Sequence, residues 1–323
     1  MTSPSTAWRE RIFGAGTPSA IWSAIFGDVL ACAKLGDGQR LETHCLDGDQ
    51  LLADAGWDLW RSYADDADCR RLRTSDRLIA WWNEPGPPPA VLVIDALSMR
   101  ELPLLLQAGA RRGVVPHTVD AAGAEVPTDT NAFAKALGLS QRAAIKNNHA
   151  PAAFRLQAAF TELFERIPFD DCIGAIQHDP KIFVWHDLID AHLSDIRSQA
   201  QLDDLLRPTL DGDGFWRFVD HLRHGRRLVI TGDHGYATKH HARPIDGNLG
   251  AQVRDIFGGQ RLESAAKALP NGIPPWVVMT TGSHHVIVGN RHWRVPGSPK
   301  EAYHGGLSLL ETIVPWIAFP AKG

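Results

Sequence analysis

The sequence predicts an α/β protein, with a central, mostly parallel sheet flanked by helices and a mainly helical segment ahead of it. Three observations carry that prediction. The runs Ala90–Ile94, Lys181–Trp185 and, after Arg226-Arg227, Leu228–Thr231 are mainly apolar and rich in β-branched residues, without polar alternation, as strands covered on both faces are. Stretches with helical spacing separate these runs. Residues 1–84 show helical spacing almost throughout, as at Ile21, Ala24, Ile25 and Leu30 and again at Leu59, Trp60 and Tyr63. With 323 residues, 44% of them hydrophobic and 22% charged, the chain can bury a sizeable core and does not have the composition of a disordered one.

Taken in order, the first 84 residues read as a packing or interaction segment, with a loop or strand around Gln39–Cys45. Six of the eleven tryptophans fall within residues 1–82, whereas fourteen of the fifteen histidines follow residue 116. Packing is thus expected early in the chain and polar chemistry later. Residues 85–89, Pro-Gly-Pro-Pro-Pro, form a stiff extended connector and the expected boundary before a second unit, 90–323. That unit opens with the strand ending at Asp95 and a helix over 96–106, then a strand over 113–119. The N-cap types Thr128, Asp129, Thr130 and Asn131 lead into a helix over 132–139, and 151–167 reads as another. A helix over 215–223 precedes the strand ending at Thr231. Strands over 277–279 and 285–288 are followed by Gly289-Asn290, a tight-turn pair that predicts a hairpin back through 292–295.

Composition excludes several classes. A net charge of −4 argues against a generally basic nucleic-acid coat, so any such contact must be local. Four scattered cysteines without a CxxC suit a reducing compartment and not a disulfide framework. Met1–Phe13 is polar and no leader is expected there. The apolar window 20–35, broken by Gly27 and Asp28, is too short to span a bilayer. No membrane association and a cytoplasmic location are the expectations.

The chemistry-bearing residues follow the strands. Thr231-Gly232-Asp233-His234-Gly235 places a hard oxygen ligand beside an imidazole where α/β crevices form, a half-site for a divalent cation. A plain turn, capped by Asp233 with Gly235 at positive φ, is the competing reading. Asp95 ends its strand in the same way and also suits a helix cap. Thr130 sits where a helix N-terminus favours anions, and its hydroxyl can attack phosphorus if a metal lowers its pKa. His186, Asp187, Asp190 and His192 follow a third strand, and His304 precedes Gly305-Gly306 and a short helix. Lys239, His240, His241 and Arg243 form a basic loop directly after the Asp-His pair, suited to an anionic substrate.

Four segments, Val-Ile-Asp95-Ala-Leu, Pro127-Thr-Asp-Thr130, Val-Ile-Thr-Gly-Asp233-His234-Gly and His304-Gly-Gly-Leu-Ser-Leu-Leu-Glu-Thr-Ile-Val-Pro, occur in the order found in the PglZ domain family of the alkaline phosphatase superfamily, which the chain resembles over about 90–318. The resemblance implies an alkaline-phosphatase-like fold and in-line phosphoryl transfer at two divalent cations. Asp95, Thr130, Asp233 and His234 would surround one cation. Asp190, a neighbouring histidine (His192 or His186) and His304 would surround the other. Thr130 would be the nucleophile, with Ser98 as rival. A mixed Asp/His ligand set suits Zn²⁺ and accepts Mn²⁺.

The expected activity is that of a phosphodiesterase or nuclease acting on nucleic acid or oligonucleotides, in a phage-defence (BREX-type) setting with possible protein partners. A phosphomonoesterase or phosphonate hydrolase for small molecules is the first alternative. A scaffold with a degenerate metal site is the second. The family's second metal site commonly shows Asp-x-x-x-His, which the Asp190/His192 spacing does not match.

Overall fold

The computed structural model describes Trp8, Glu10, Gly14 and residues 16–176, 178–297 and 300–323. The expectation for the Met1–Phe13 segment therefore falls almost wholly outside the described residues. Among the described residues, Trp8 and Glu10 are helical, and five helices with described bounds follow: α1 (Pro18–Ala33), α2 (Gly38–Ala55), α3 (Trp57–Asp65), α4 (Ala67–Arg70) and α5 (Thr74–Trp82). Strand β1 (Pro89–Ile94), α6 (Leu102–Arg111), β2 (Thr118–Gly123) and α7 (Thr130–Ala136) follow, then a 3₁₀ segment (Arg142–Asn148), β3 (Phe160–Phe164), α8 (Phe169–Cys172) and β4 (Ile182–His186). Next are α9 (Asp190–Leu193), α10 (Gln199–Leu210), α11 (Asp213–Leu222) and β5 (Arg227–Thr231). The last part holds β6 (Ala237–Thr238), β7 (Arg243–Pro244), α12 (Gly247–Phe257), β8 (Leu262–Ser264), β9 (Val278–Thr281), β10 (His284–Ile287), β11 (Arg291–His292), β12 (Ala302–Tyr303), α13 (Leu309–Thr312) and β13 (Ile313–Phe319).

The main sheet has six strands in the order β2-β13-β5-β1-β4-β3. β5, β1, β4 and β3 run parallel, and β13 lies antiparallel between β2 and β5. Alternate residues feed two cores, as period-2 geometry requires. Ala90, Leu92, Ile94, Ile182, Val184, Leu228 and Ile230 face one apolar cluster, while Val91, Val93, Phe183, Trp185 and Val229 face another. The uninterrupted apolar runs are explained by this two-sided cover. The first cluster also contains Trp22, Phe26, Leu52, Trp60 and Tyr63 from the N-terminal helices. Five of the six early tryptophans are core residues and Trp57 is half-buried: the rings of Trp22 and Trp60 meet at 4.6 Å between centroids, tilted by 53°. Among the described residues no helix is long and apolar enough to cross a membrane.

Four expectations give way to the structure. Gln39–Cys45 lies inside α2, because Asp37 caps that helix by accepting from the Arg40 amide and Leu41, Cys45 and Leu52 form one buried stripe. The strand expected at 113–119 begins only at Thr118, beyond the turn at Gly113 (φ +68) and Pro116. Phe160–Phe164 is an inner-facing strand and not the end of a helix, since Asn147, Asn148 and Ala158 take positive φ and break helical geometry before it. Gly289-Asn290 does not fold a hairpin: the Asn290 side chain donates to the Thr238 and His241 carbonyls, and β11 pairs with β7.

Candidate metal centre

The carboxyl ends of β1, β4 and β5 lie side by side, with Ile94 in register with His186 and Val93 with Thr231. The residues just past those ends therefore meet. β2 runs the same way and delivers Thr128–Thr130. β13 runs against it, so the segment entering β13, His304–Thr312, arrives at the same edge. One sheet edge thereby gathers five sequence-distant segments.

Asp95, Asp233 and His234 are fully buried there. The His234 Nε2 lies 3.5 Å from Asp95 Oδ1, 3.5 Å from Asp233 Oδ2 and 3.2 Å from Thr130 Oγ1. Thr130 Oγ1 is also 3.3 Å from Asp95 Oδ1. The other ring nitrogen, Nδ1, lies 2.9 Å from the Gly235 carbonyl. A carbonyl only accepts, so the proton sits on Nδ1 and the lone pair of Nε2 faces the carboxylates. The Ala96 amide donates to Asp233 Oδ1 at 3.0 Å, a contact made possible by Ala96's positive φ of 63°. Asp233 Oδ2 has no hydrogen-bond partner among the described residues. Gly235 does not adopt positive φ. Its lack of a Cβ matters because one would sit 2.1 Å from the Leu310 carbonyl oxygen.

A second group adjoins the first. His304 stacks on His234 at 4.4 Å and 14° between planes, and its Nε2 lies 3.5 Å from Asp190 Oδ1. Its Nδ1 is 3.9 Å from Asp129 Oδ2 and has no hydrogen-bond partner among the described residues. Donor atoms of Asp95, Asp233 and His234 lie within 4.8 Å of one another, and so do those of Asp190, His234 and His304. One imidazole nitrogen serves one cation, and His234 offers only Nε2, so the second group has Asp190 and His304 as its own donors.

Two fully buried carboxylates, Asp95 and Asp233, with the half-buried Asp190 beside them, are electrostatically costly. Burial, reinforced by the charges of Asp233 and Asp190, pushes the Asp95 carboxyl well above the usual range. Burial pushes that of Asp233 up to about 7. His304 is lowered by burial and by the neighbouring His234, which favours the neutral imidazole a metal needs. Among the described residues, the cationic contact to these carboxylates is Arg142, whose Nη1 donates to Asp95 Oδ2. An orphaned carboxylate oxygen, an orphaned imidazole nitrogen and an excess of negative charge all fit divalent cations. The donor set of carboxylates and imidazoles suits Zn²⁺ or Mn²⁺.

Of the residues singled out from the sequence, Asp95, Thr130, Asp190, Asp233, His234 and His304 come together. His192 does not join either donor group and lines a separate cavity with Phe169 and Pro208. His186 is also elsewhere, stacked on Phe169 at 4.2 Å with its Nε2 donating to the Ile167 carbonyl. Ser98 is buried beside Arg100 and Glu101. Lys239, His240, His241 and Arg243 do not line the cavity of about 480 Å³ beside Asp190 and His304; its cationic wall is Arg142, Arg166 and Lys300. No local pattern marked those three. The loop carrying His304 is also braced from afar. Glu311 accepts from Arg261 Nε (2.8 Å), the Gly306 amide (3.0 Å) and the Ser308 hydroxyl (2.7 Å). Thr128 donates to the Gly306 carbonyl at 2.7 Å.

No family model matches the chain, and no curated protein matches its sequence. Among solved structures, it is similar to phosphonoacetate hydrolase from Sinorhizobium meliloti 1021 in complex with phosphonoacetate. Identity is 14% over 74% of this chain and 92% of that chain, with a TM-score of 0.40. The same enzyme with phosphonoformate gives 13% identity, the same coverage and a TM-score of 0.40.

Proposed function

We propose that this chain is a metal-dependent hydrolase of phosphoric esters or phosphonates, with Thr130 as nucleophile. The observation that carries the proposal is the placement of the Thr130 hydroxyl, 3.3 Å from Asp95 and 3.2 Å from His234, against the first of two adjoining groups of metal-type donors. Asp95, Asp233 and His234 would hold one cation, and Asp190 with His304 a second. Such cations supply charge that lowers the pKa of a nearby hydroxyl and offsets charge on a leaving oxygen. The chain's own residues do the rest. The Gly235 carbonyl holds His234 in the tautomer that keeps a proton away from Thr130. Asp129 caps α7 by accepting from the Asn131 amide at 2.9 Å, which fixes the backbone around Thr130. Arg142, Arg166 and Lys300 offer positive charge to an anionic substrate over the cavity.

Two substrate classes remain within this reading. Arg166 and Lys300, on a compact cavity whose carboxylates Glu165, Asp187 and Asp190 would be offset by Arg142 and bound cations, favour a terminal phosphate or phosphonate, whose charge exceeds that of a diester. The PglZ resemblance of the four segments favours a diester, and with it a nucleic-acid substrate and a place in phage defence. Turnover of p-nitrophenyl phosphate, bis-p-nitrophenyl phosphate, phosphonoacetate and a short oligonucleotide, each with added Zn²⁺ or Mn²⁺, separates the classes. Hydrolysis of none of them under either metal, by a chain that binds the metal, would leave the scaffold reading standing.

A further inference from the structure

A second cavity, of about 420 Å³, opens beside the one that adjoins Asp190 and His304. The two share Arg166, Asp187 and Ala191 as common wall. Their chemistry differs. The cavity beside Asp190 is ringed by charged groups, whereas Phe169, Phe215, Leu188, Ile167 and Pro208 contribute to the lining of the second. Ile167 is one of the few large apolar side chains left exposed, at 38%, and it stands on the wall of this cavity. Arg166, between the two, adopts a positive φ of 56°, unusual for a branched-chain-free but bulky residue, and its amide donates to Asp187 Oδ1 at 2.8 Å. The backbone is held in that conformation at the divide, with the exposed guanidinium on the rim.

We infer that the second cavity is the subsite for the substrate's organic half, and that it takes a ring-sized apolar group attached to the phosphoryl centre. The inference rests on the hydrolase reading above. It commits to a small-molecule substrate that lies across the Arg166 rim, with its phosphoryl group toward Asp190 and His304 and its apolar part against Phe169 and Phe215. A cavity of this volume accommodates a single aromatic ring with substituents. An anion without such a group would make only the charged contacts.

The test compares two stable phosphonates, methylphosphonate and phenylphosphonate, by titration calorimetry against the full Zn²⁺-loaded chain. Phenylphosphonate is expected to bind at least ten-fold more tightly. Thr209→Trp, at a half-buried position on the cavity wall, should bring the two affinities within about two-fold while leaving methylphosphonate unchanged. Equal binding of the two anions by the wild type overturns the subsite but leaves the hydrolase reading intact. Binding of neither removes both. A phenyl preference that persists in Thr209→Trp overturns the location. Should that variant fail to bind methylphosphonate, Pro208→Trp, from the exposed side of the same wall, is read for the same two outcomes.

Discussion

Replacing Asp233 with Asn should separate metal binding from folding. In the wild type, the buried carboxylates of Asp95 and Asp233 sit around one imidazole, and Asp233 Oδ2 has no partner. Asparagine keeps the shape and can keep the acceptor that the Ala96 amide needs. It removes a negative charge from a crowded place. The metal-free variant should therefore melt at or slightly above the temperature of the metal-free wild type. The response to cation should differ sharply. A cation at 100 times its dissociation constant adds about 2.7 kcal/mol to folding. For 323 residues, an unfolding entropy of roughly 0.7 kcal/mol/K turns that into a rise of about 4 °C per occupied site. Because the Asp233 carboxyl is pushed up to about 7, a cation must displace a proton at lower pH. The rise should shrink by about 1.5 °C between pH 7 and pH 6, since for a carboxyl half-protonated at pH 7 that step costs the cation ~1 kcal/mol. Differential scanning fluorimetry of EDTA-stripped protein with Zn²⁺, Mn²⁺ and Mg²⁺ reads all of this. A wild type that gains nothing from millimolar Zn²⁺ or Mn²⁺, or an Asp233→Asn protein with the full wild-type rise, would refute the reasoning.

Further outcomes are expected elsewhere. Thr130→Ala should lower turnover of any accepted phosphoryl substrate by at least 10³-fold while keeping most of the metal-induced stabilisation; activity near wild type would mean a different nucleophile. Arg261→Met leaves the buried Glu311 carboxylate without its ion pair, which costs about 3–5 kcal/mol, and chemical denaturation should show it. Gly235→Ala should distort the loop behind His234, because a Cβ would meet the Leu310 carbonyl at 2.1 Å, and metal affinity should fall with stability. Burial lifts Glu101 from 4.5 to about 7. The native state then keeps a proton that the unfolded chain releases, so its contribution to stability declines as pH rises from about 4.5 to 7, by on the order of 3 kcal/mol. Glu101→Gln should flatten that part of the stability profile, measured as denaturant midpoint against pH; an unchanged slope would contradict the burial argument.

The strands were legible because two-faced burial leaves an unmistakable composition: no polar residue interrupts Ala90–Ile94 or Leu228–Ile230, and each face of the sheet is covered. The acids and histidines past those strands were legible for the same reason, since strand ends in a parallel sheet share an edge. What stayed hidden depends on contacts far apart in sequence. Arg142 sits in a short 3₁₀ segment with no pattern around it, 47 residues from the Asp95 carboxylate it meets. His192 looked eligible by type and proximity to Asp190, yet the single turn of α9 turns it toward the other cavity. Phe160–Phe164 was lost among helix formers, because only positive φ at residues upstream breaks the pattern, and φ is not written in composition. Gly289-Asn290 has hairpin chemistry but spends its hydrogen bonds on distant carbonyls.

The N-terminal helices reach further than packing. Asp49 on α2 accepts from the Leu309 amide at 3.0 Å and the Asn290 amide at 3.2 Å, and Arg100, after β1, pairs with Glu42 of the same helix. The turn that delivers His304 is thus anchored on a helix more than 200 residues upstream. A fragment begun at the proline run would strip two amides of their acceptor and take from Arg100 its ion-pair partner Glu42. Cutting there would unmoor the edge that carries the candidate metal centre, so the front of this molecule acts as its keel.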